Sequence, residues 1–281
     1  MAIEPNIDPS NGPRAAVEPR LAATVLLLRD GDDGMEVFMV VRHHQIDFAS
    51  GALVFPGGSI DPGDREIAAN PALFPPQPGL GAADAALRVG ALRETFEECG
   101  ILFARERGEG SLISAMRLRA IEDAWRVAMT AGEKSFAEIL VAEDLVLAPD
   151  ALVLFAHWIT PERMSKRFDT HFFLAVAPPD QVAVHDGEEA VDSIWISPRK
   201  AITETEAGTY KLVFPTQKNL EKLGRHTTAQ AALAAARTAR IVTVMPVMEK
   251  SEAGVRFLRL PADADYGGEL FEVTNPPAMP D

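Results

Sequence analysis

The sequence predicts an α+β fold or an α/β/α sandwich. Short apolar runs bounded by turn residues read as strands, and stretches of helical length stand among them. The two kinds do not alternate strictly, which separates this pattern from a regular βαβ chain. At 281 residues the chain is long enough for one large domain, or for one domain with sizeable insertions.

Residues 1–19 are polar and rich in proline, and read as a flexible tail. LAATVLLL at 21–28 reads as a buried strand, and MEVFMVVR at 35–42 as its hairpin partner across Asp30-Gly31-Asp32-Asp33-Gly34. ALVF at 52–55 is a short strand that ends at Pro56-Gly57-Gly58. Residues 59–83 hold five prolines and three glycines, which leaves room for a short helix near 65–70 at most. A helix over 84–99 follows, with Asp84 as N-cap, Gly100 as the stop, and Leu92, Phe96 and Cys99 as its apolar stripe. Further helices are expected at 111–130 and 135–141, then strands at 151–159, 171–177 and 192–197. Helices at 198–205, 216–224 and 227–239 precede extended segments at 241–247 and 255–261.

Composition narrows the function classes. The chain is 47% hydrophobic and 24% charged, as in ordinary soluble proteins. A formal net charge of -14 argues against nucleic acid and against an anionic membrane surface as partners. Cys99 is the only cysteine, so no disulfide forms within the chain. The opening residues lack an apolar signal core, and no apolar run reaches the ~18 residues of a membrane span. The expected compartment is the cytoplasm.

Chemistry concentrates in Arg93-Glu94-Thr95-Phe96-Glu97-Glu98-Cys99-Gly100-Ile101. Glu94, Glu97 and Glu98 stand at i, i+3 and i+4, so a helix places all three carboxylates on one face. Like charges at that spacing repel unless a cation lies between them. Hard dications such as Mg²⁺ or Mn²⁺ prefer carboxylate oxygens and share their shells with phosphates. Arg93, four residues before Glu97, is placed to orient one carboxylate. A bare acidic helix face would also fit the glutamate spacing alone.

The segment resembles the second half of the Nudix box, Arg-Glu-U-x-Glu-Glu-x-Gly-U with U bulky and apolar; Thr95 occupies one U position. Phe55-Pro56-Gly57-Gly58 is similar to the turn that opens the box. The resemblance implies a Nudix sandwich with a central mixed sheet, extra helices and a C-terminal extension. It divides the chain into a Nudix domain over 20–210, with insertions at 59–83 and 104–150, and an extension over 211–281. It departs at Ala85, where the usual box has a glutamate, and in the long segment before the helix. Both features resemble the peroxisomal coenzyme A diphosphatase-like branch, as do HWITP at 157–161, RFDTHFFLA at 167–175 and LPADADYG at 260–267.

What the resemblance implies is metal-dependent hydrolysis of a diphosphate linkage in a small-molecule nucleotide. Mg²⁺ or Mn²⁺ would be held by Glu94, Glu97, Glu98 and the Gly58 carbonyl. Glu97 or Glu98 would act in catalysis with Arg93 beside them, and Glu188 or Glu189 offers a second source for the base. Arg42 and Arg167 are candidates to hold phosphate. The coenzyme A signature is matched by Gly51 and Phe55-Pro56-Gly57-Gly58, with Arg42 as its first arginine, but Asp47 stands where the second belongs. Coenzyme A or acyl-coenzyme A therefore leads narrowly over ADP-ribose, NADH and dinucleoside polyphosphates. A non-catalytic nucleotide sensor is the alternative class, and a homodimer is expected by resemblance. His43 and His44 read as neutral loop residues, Trp158 and Trp195 as core, and Cys99 as a buried inert thiol.

Overall fold

The computed structural model describes residues 17–42, 51–162, 164–183, 190–250 and 255–273. Among them an eight-stranded mixed sheet is sandwiched between helices. Strand β1 (Arg20–Gly31) pairs antiparallel with β2 (Gly34–Arg42) across the tight turn expected from the sequence. Strand β3 (Leu53–Val54) joins the outer side of β2. Strand β4 (Gly57–Ser59) turns back to pair with the first half of β1, setting Gly58 opposite Ala23. The sequence reading placed no strand at the Gly-Gly turn.

Helix α1 (Pro62–Ala68) starts with proline in its first turn, and the Asp61 N–H donates to Asp64 Oδ2 at 2.8 Å. Helix α2 (Ala82–Cys99) carries the glutamates. It begins two residues earlier than the sequence suggested, with Gly81 and not Asp84 as the N-cap. Asp84 instead sits in the first turn, where a negative charge favours the helix dipole. Gly100 stops the helix in the left-handed conformation, as expected.

The segment after α2 forms a small ribbon that the sequence did not reveal. Strand β5 (Ala104–Glu106) pairs with β6 (Leu145–Leu147), and between them lie α3 (Ala115–Thr130) and α4 (Phe136–Ala142). From α3, Arg126 reaches the last turn of α2 and donates to the carbonyls of Glu97 and Phe96 at 3.0 and 3.3 Å. The chain then returns to the main sheet. Strand β7 (Val153–Ile159) pairs antiparallel with β8 (Phe168–Val176), which lies parallel to β1. Strand β9 (Ala190–Ile196) joins β2.

Helices α5 (Pro198–Glu206), α6 (Phe214–Leu223) and α7 (Ala229–Thr238) follow, and β10 (Thr243–Val244) adds a parallel edge to β7. A second, three-stranded sheet closes the chain: β11 (Val247–Lys250), β12 (Arg256–Arg259) and β13 (Leu270–Glu272).

Two apolar cores lie on opposite faces of the main sheet. One joins Ala23, Val25, Leu27 and Phe173 to Leu92, Phe96 and Cys99 of α2. The other joins Leu26, Leu28, Phe172 and Leu174 to Leu220, Leu223, Ala232 and Leu233. A central strand covered on both faces is apolar on both, which is why β1 reads as a near-continuous run, interrupted at Thr24, and not as an alternation. Residues from the last seventy positions help close the second core: Trp158 is buried and donates to the Tyr266 hydroxyl at 2.9 Å, and that hydroxyl donates to Asn219 Oδ1 at 2.8 Å.

Candidate active site

The site forms where α2 passes the β4 turn. Burying Leu92, Phe96 and Cys99 against the sheet fixes the helix's rotation and turns Arg93, Glu94 and Glu98 toward Gly57, Gly58 and Ser59, with Glu97 beside Arg93. Both glycines are closely approached, Gly57 by backbone and Gly58 by a side chain. A Cβ at Gly57 would lie 2.3 Å from the Ala23 carbonyl oxygen, and its φ of 149° disfavours other residues. A Cβ at Gly58 would lie 2.4 Å from Glu94 Oε1, so this carboxylate rests directly on the turn. Glu98 Oε2 accepts the Gly57 N–H at 2.9 Å.

Arg93 is the hub of the cluster. Its Nη1 donates to Glu94 Oε1 at 2.9 Å and to Glu97 Oε2 at 2.7 Å. Its Nε and Nη2 grip Asp64 at 2.8 and 3.0 Å, and Nη2 also donates to the Ser59 carbonyl at 3.1 Å. Every face of the guanidinium fork is therefore occupied, an arrangement lysine could not reproduce.

Asp64 is the residue that the sequence reading missed. It lies in the 59–83 segment and is 1% exposed. Its carboxylate meets Arg93 from the side where α1 packs on α2, so the support that Ala85 cannot give comes from elsewhere in the chain. The available signal was a capping pattern: an acidic residue at Asp61, proline next, and a second acid at Asp64.

Burial sets the electrostatics. It pushes the Glu94 carboxyl up to about 7, against the pull of Arg93 and with help from Glu97. Glu97 is raised above the ordinary range by the same cause, again opposed by Arg93. Burial alone would lower Arg93, but the Asp64 hydrogen bonds and the Glu94 and Glu97 charges more than reverse this and raise it. Two half-buried carboxylates thus share one cation that is itself partly spent on Asp64. Such a set has charge to spare for a hard dication, and its donors are the oxygens that Mg²⁺ and Mn²⁺ favour.

The other candidates fall differently. Arg167 is 8% exposed, and its guanidinium donates to the carbonyls of Thr160 and Val17 at 3.0 and 2.7 Å. Those bonds fasten the start of β8 to neighbouring chain and leave little of the fork for a phosphate. Arg42 ends β2, where the hairpin was expected to place it. Glu188, Glu189, His43, His44 and Asp47 lie outside the described residues. Trp195 packs edge-on against Phe38 and under the Arg29 guanidinium, and Cys99 is fully buried. Nearer the sheet's other edge, burial with the His157 ring alongside draws the His171 imidazole down to about 4.

The NUDT19 Nudix domain family matches residues 77–223, more than half of the chain. This chain belongs to the Nudix family. Residues 93–101, which resemble the second half of a Nudix box, lie within that match, and the NUDT19 branch is the one the sequence resembles. The acyl-coenzyme A diphosphatase NUDT19 of Gallus gallus is 31% identical over 212 residues, covering 59% of this chain and 55% of that protein. The human protein of the same name is 28% identical over 206 residues, covering 60% of this chain and 55% of its own. The chain thus spans about half the length of these curated relatives. A crystal structure of a Nudix hydrolase from Alicyclobacillus acidocaldarius superposes with a TM-score of 0.64 at 30% identity, over 80% of this chain and all of that one. No helix among the described residues is long and apolar enough to cross a membrane.

Proposed function

We propose that this Nudix protein hydrolyses a diphosphate linkage in a nucleoside diphosphate derivative, with coenzyme A or an acyl-coenzyme A as the leading substrate. One observation carries the reading: Glu94 and Glu98 of α2 meet the Gly57–Gly58 turn, and a single arginine ties Glu94 to the third carboxylate, Glu97. The names of the chicken and human relatives support the coenzyme A class, while ADP-ribose, NADH and dinucleoside polyphosphates remain the competing substrates.

Glu94, Glu97, Glu98 and the Gly58 carbonyl would hold Mg²⁺ or Mn²⁺, which supplies charge neutralisation at the diphosphate and a more acidic water. Arg93 fixes the rotamers of Glu94 and Glu97, so the carboxylates need not reorganise as phosphate arrives. Glu97 or Glu98 takes the proton from the attacking water, and Glu188 or Glu189 is the alternative source of that base. Glu97 keeps about a third of its side chain exposed (33%), which gives solvent a path to it. Residues 20–210 form the Nudix unit in this reading, and 211–281 an extension laid on it.

The test is a hydrolysis screen over coenzyme A, acyl-coenzyme A, ADP-ribose, NADH and dinucleoside polyphosphates with Mg²⁺ or Mn²⁺, the products identified by mass. Wild type is expected to cleave within the diphosphate, and Glu97→Gln to lose roughly 10²-fold or more. Equal inertness of both proteins, with nucleotide still bound, would establish a sensor in place of an enzyme.

A further inference from the structure

Away from the box glutamates, two imidazoles and a carboxylate meet on the same face of the main sheet. His157 of β7 stands opposite His171 of β8, and Thr243 of β10 stands opposite His157. The row continues through Ala23 of β1 to Gly58 of β4. The two rings stack with centroids 3.9 Å apart. Both present a nitrogen to one oxygen of Asp169: His157 Nε2 at 2.5 Å and His171 Nδ1 at 3.7 Å from Oδ1. One ligand atom from each residue lies within 4.8 Å of the others. His171 Nδ1 is buried without a hydrogen-bond partner.

We propose that His157 Nε2, Asp169 Oδ1 and His171 Nδ1 form a site for a divalent transition cation of the zinc, cobalt or nickel class. Two imidazoles and one carboxylate are the donors such ions prefer, whereas Mg²⁺ favours all-oxygen shells. Bonds of about 2.0–2.2 Å in a tetrahedral site set ligand atoms roughly 3.3 Å apart. The separations of 2.5 and 3.7 Å bracket that value, so a modest rotation of the Asp169 side chain admits the ion.

Thr243 Oγ1 lies 2.8 Å from His157 Nδ1, which fixes that ring with Nε2 turned to Asp169, where the ion would replace their mutual hydrogen bond. The ion would also give the orphaned nitrogen of His171 its partner. The three side chains retain 17%, 26% and 15% exposure, enough for an ion to enter and keep a water. Two strand spacings, roughly 10 Å, separate His171 from Gly58, so this site is distinct from the box and does not rest on the hydrolase reading.

The experiment titrates Co²⁺ into the full chain after chelator treatment, following visible absorbance and heat, in a Glu97→Gln background that weakens the box. The expected result is one equivalent bound with imidazole-ligated absorbance, and at least tenfold weaker binding in His171→Ala and in His157→Gln. Crystals of the wild-type protein soaked in Co²⁺ supply a measurement that needs no variant to fold. An anomalous peak among His157, Asp169 and His171 supports the site. A peak at the glutamates alone, no peak, or unchanged affinity in both histidine variants overturns it.

Discussion

Replacing Asp64 with alanine is expected to destabilise the protein by about 3 kcal/mol. The substitution removes both acceptors of the Arg93 fork, at 2.8 and 3.0 Å, and the acceptor of the Asp61 N–H at 2.8 Å. Breaking a buried ion pair at one end costs roughly 3–5 kcal/mol, because the surviving charge stays out of water. Arg93 keeps Glu94 and Glu97, which places the loss at the lower end of that range. Asp64→Asn keeps the shape and one acceptor, so its loss is expected to be about 1.5–3 kcal/mol, as for hydrogen bonds to charged groups.

Urea unfolding checks both values, with the midpoint falling and the slope unchanged. Metal-dependent hydrolysis, measured where each variant remains folded, is expected to lose about tenfold in kcat, which corresponds to roughly 1.4 kcal/mol of transition-state stabilisation. That loss follows because Arg93 still pairs with Glu94 and Glu97 but, released from Asp64, holds them in a less uniform position. An alanine variant within about 0.5 kcal/mol of wild type, the range of ordinary surface changes, would refute the buried-pair argument. Lowered stability with unchanged kcat would leave Asp64 a purely structural residue.

Two further outcomes follow from the same cluster. Gly58→Ala is expected to lower activity far more than stability, because its Cβ displaces only the end of the flexible Glu94 side chain; Gly57→Ala is expected to unfold the turn, since its Cβ meets the β1 backbone, and circular dichroism beside the hydrolysis assay separates the two. Glu94, ordinarily near 4.5 and raised to about 7 by burial, binds its proton more tightly in the folded chain. The stability that this proton confers is full below about pH 4.5 and is lost as pH rises through 7, with a slope of at most about 1.4 kcal/mol per pH unit. Melting curves with Mn²⁺ and without it are expected to differ more at pH 8 than at pH 6, and Glu94→Gln to flatten that difference.

The elements that proved legible were those whose pattern repeats within a short window. The near-continuous apolar run of β1, the hairpin turn at 30–34 and the apolar stripe of α2 each announce themselves locally. The ribbon of β5 with β6 did not, because three-residue strands forty positions apart show no periodicity of their own. Asp84 was a fair N-cap by residue type, but the helix continues back through Ala82 and Ala83, which favour it. Arg167 looked free for phosphate because a sequence does not reveal which backbone carbonyls will surround a guanidinium.

By itself the sequence determined a mixed α and β fold, the box helix and the side of that helix on which its glutamates stand, since helical spacing and apolar burial are local properties. Only the tertiary structure decided that Asp64 supports Arg93, that Arg167 is a fastener, and that His157, Asp169 and His171 meet on one face of the sheet. Those pairings join residues from seven to 150 positions apart by hydrogen bonding, or across strands by register. Such encounters are set by how layers pack and strands align, and no window of the chain contains that information.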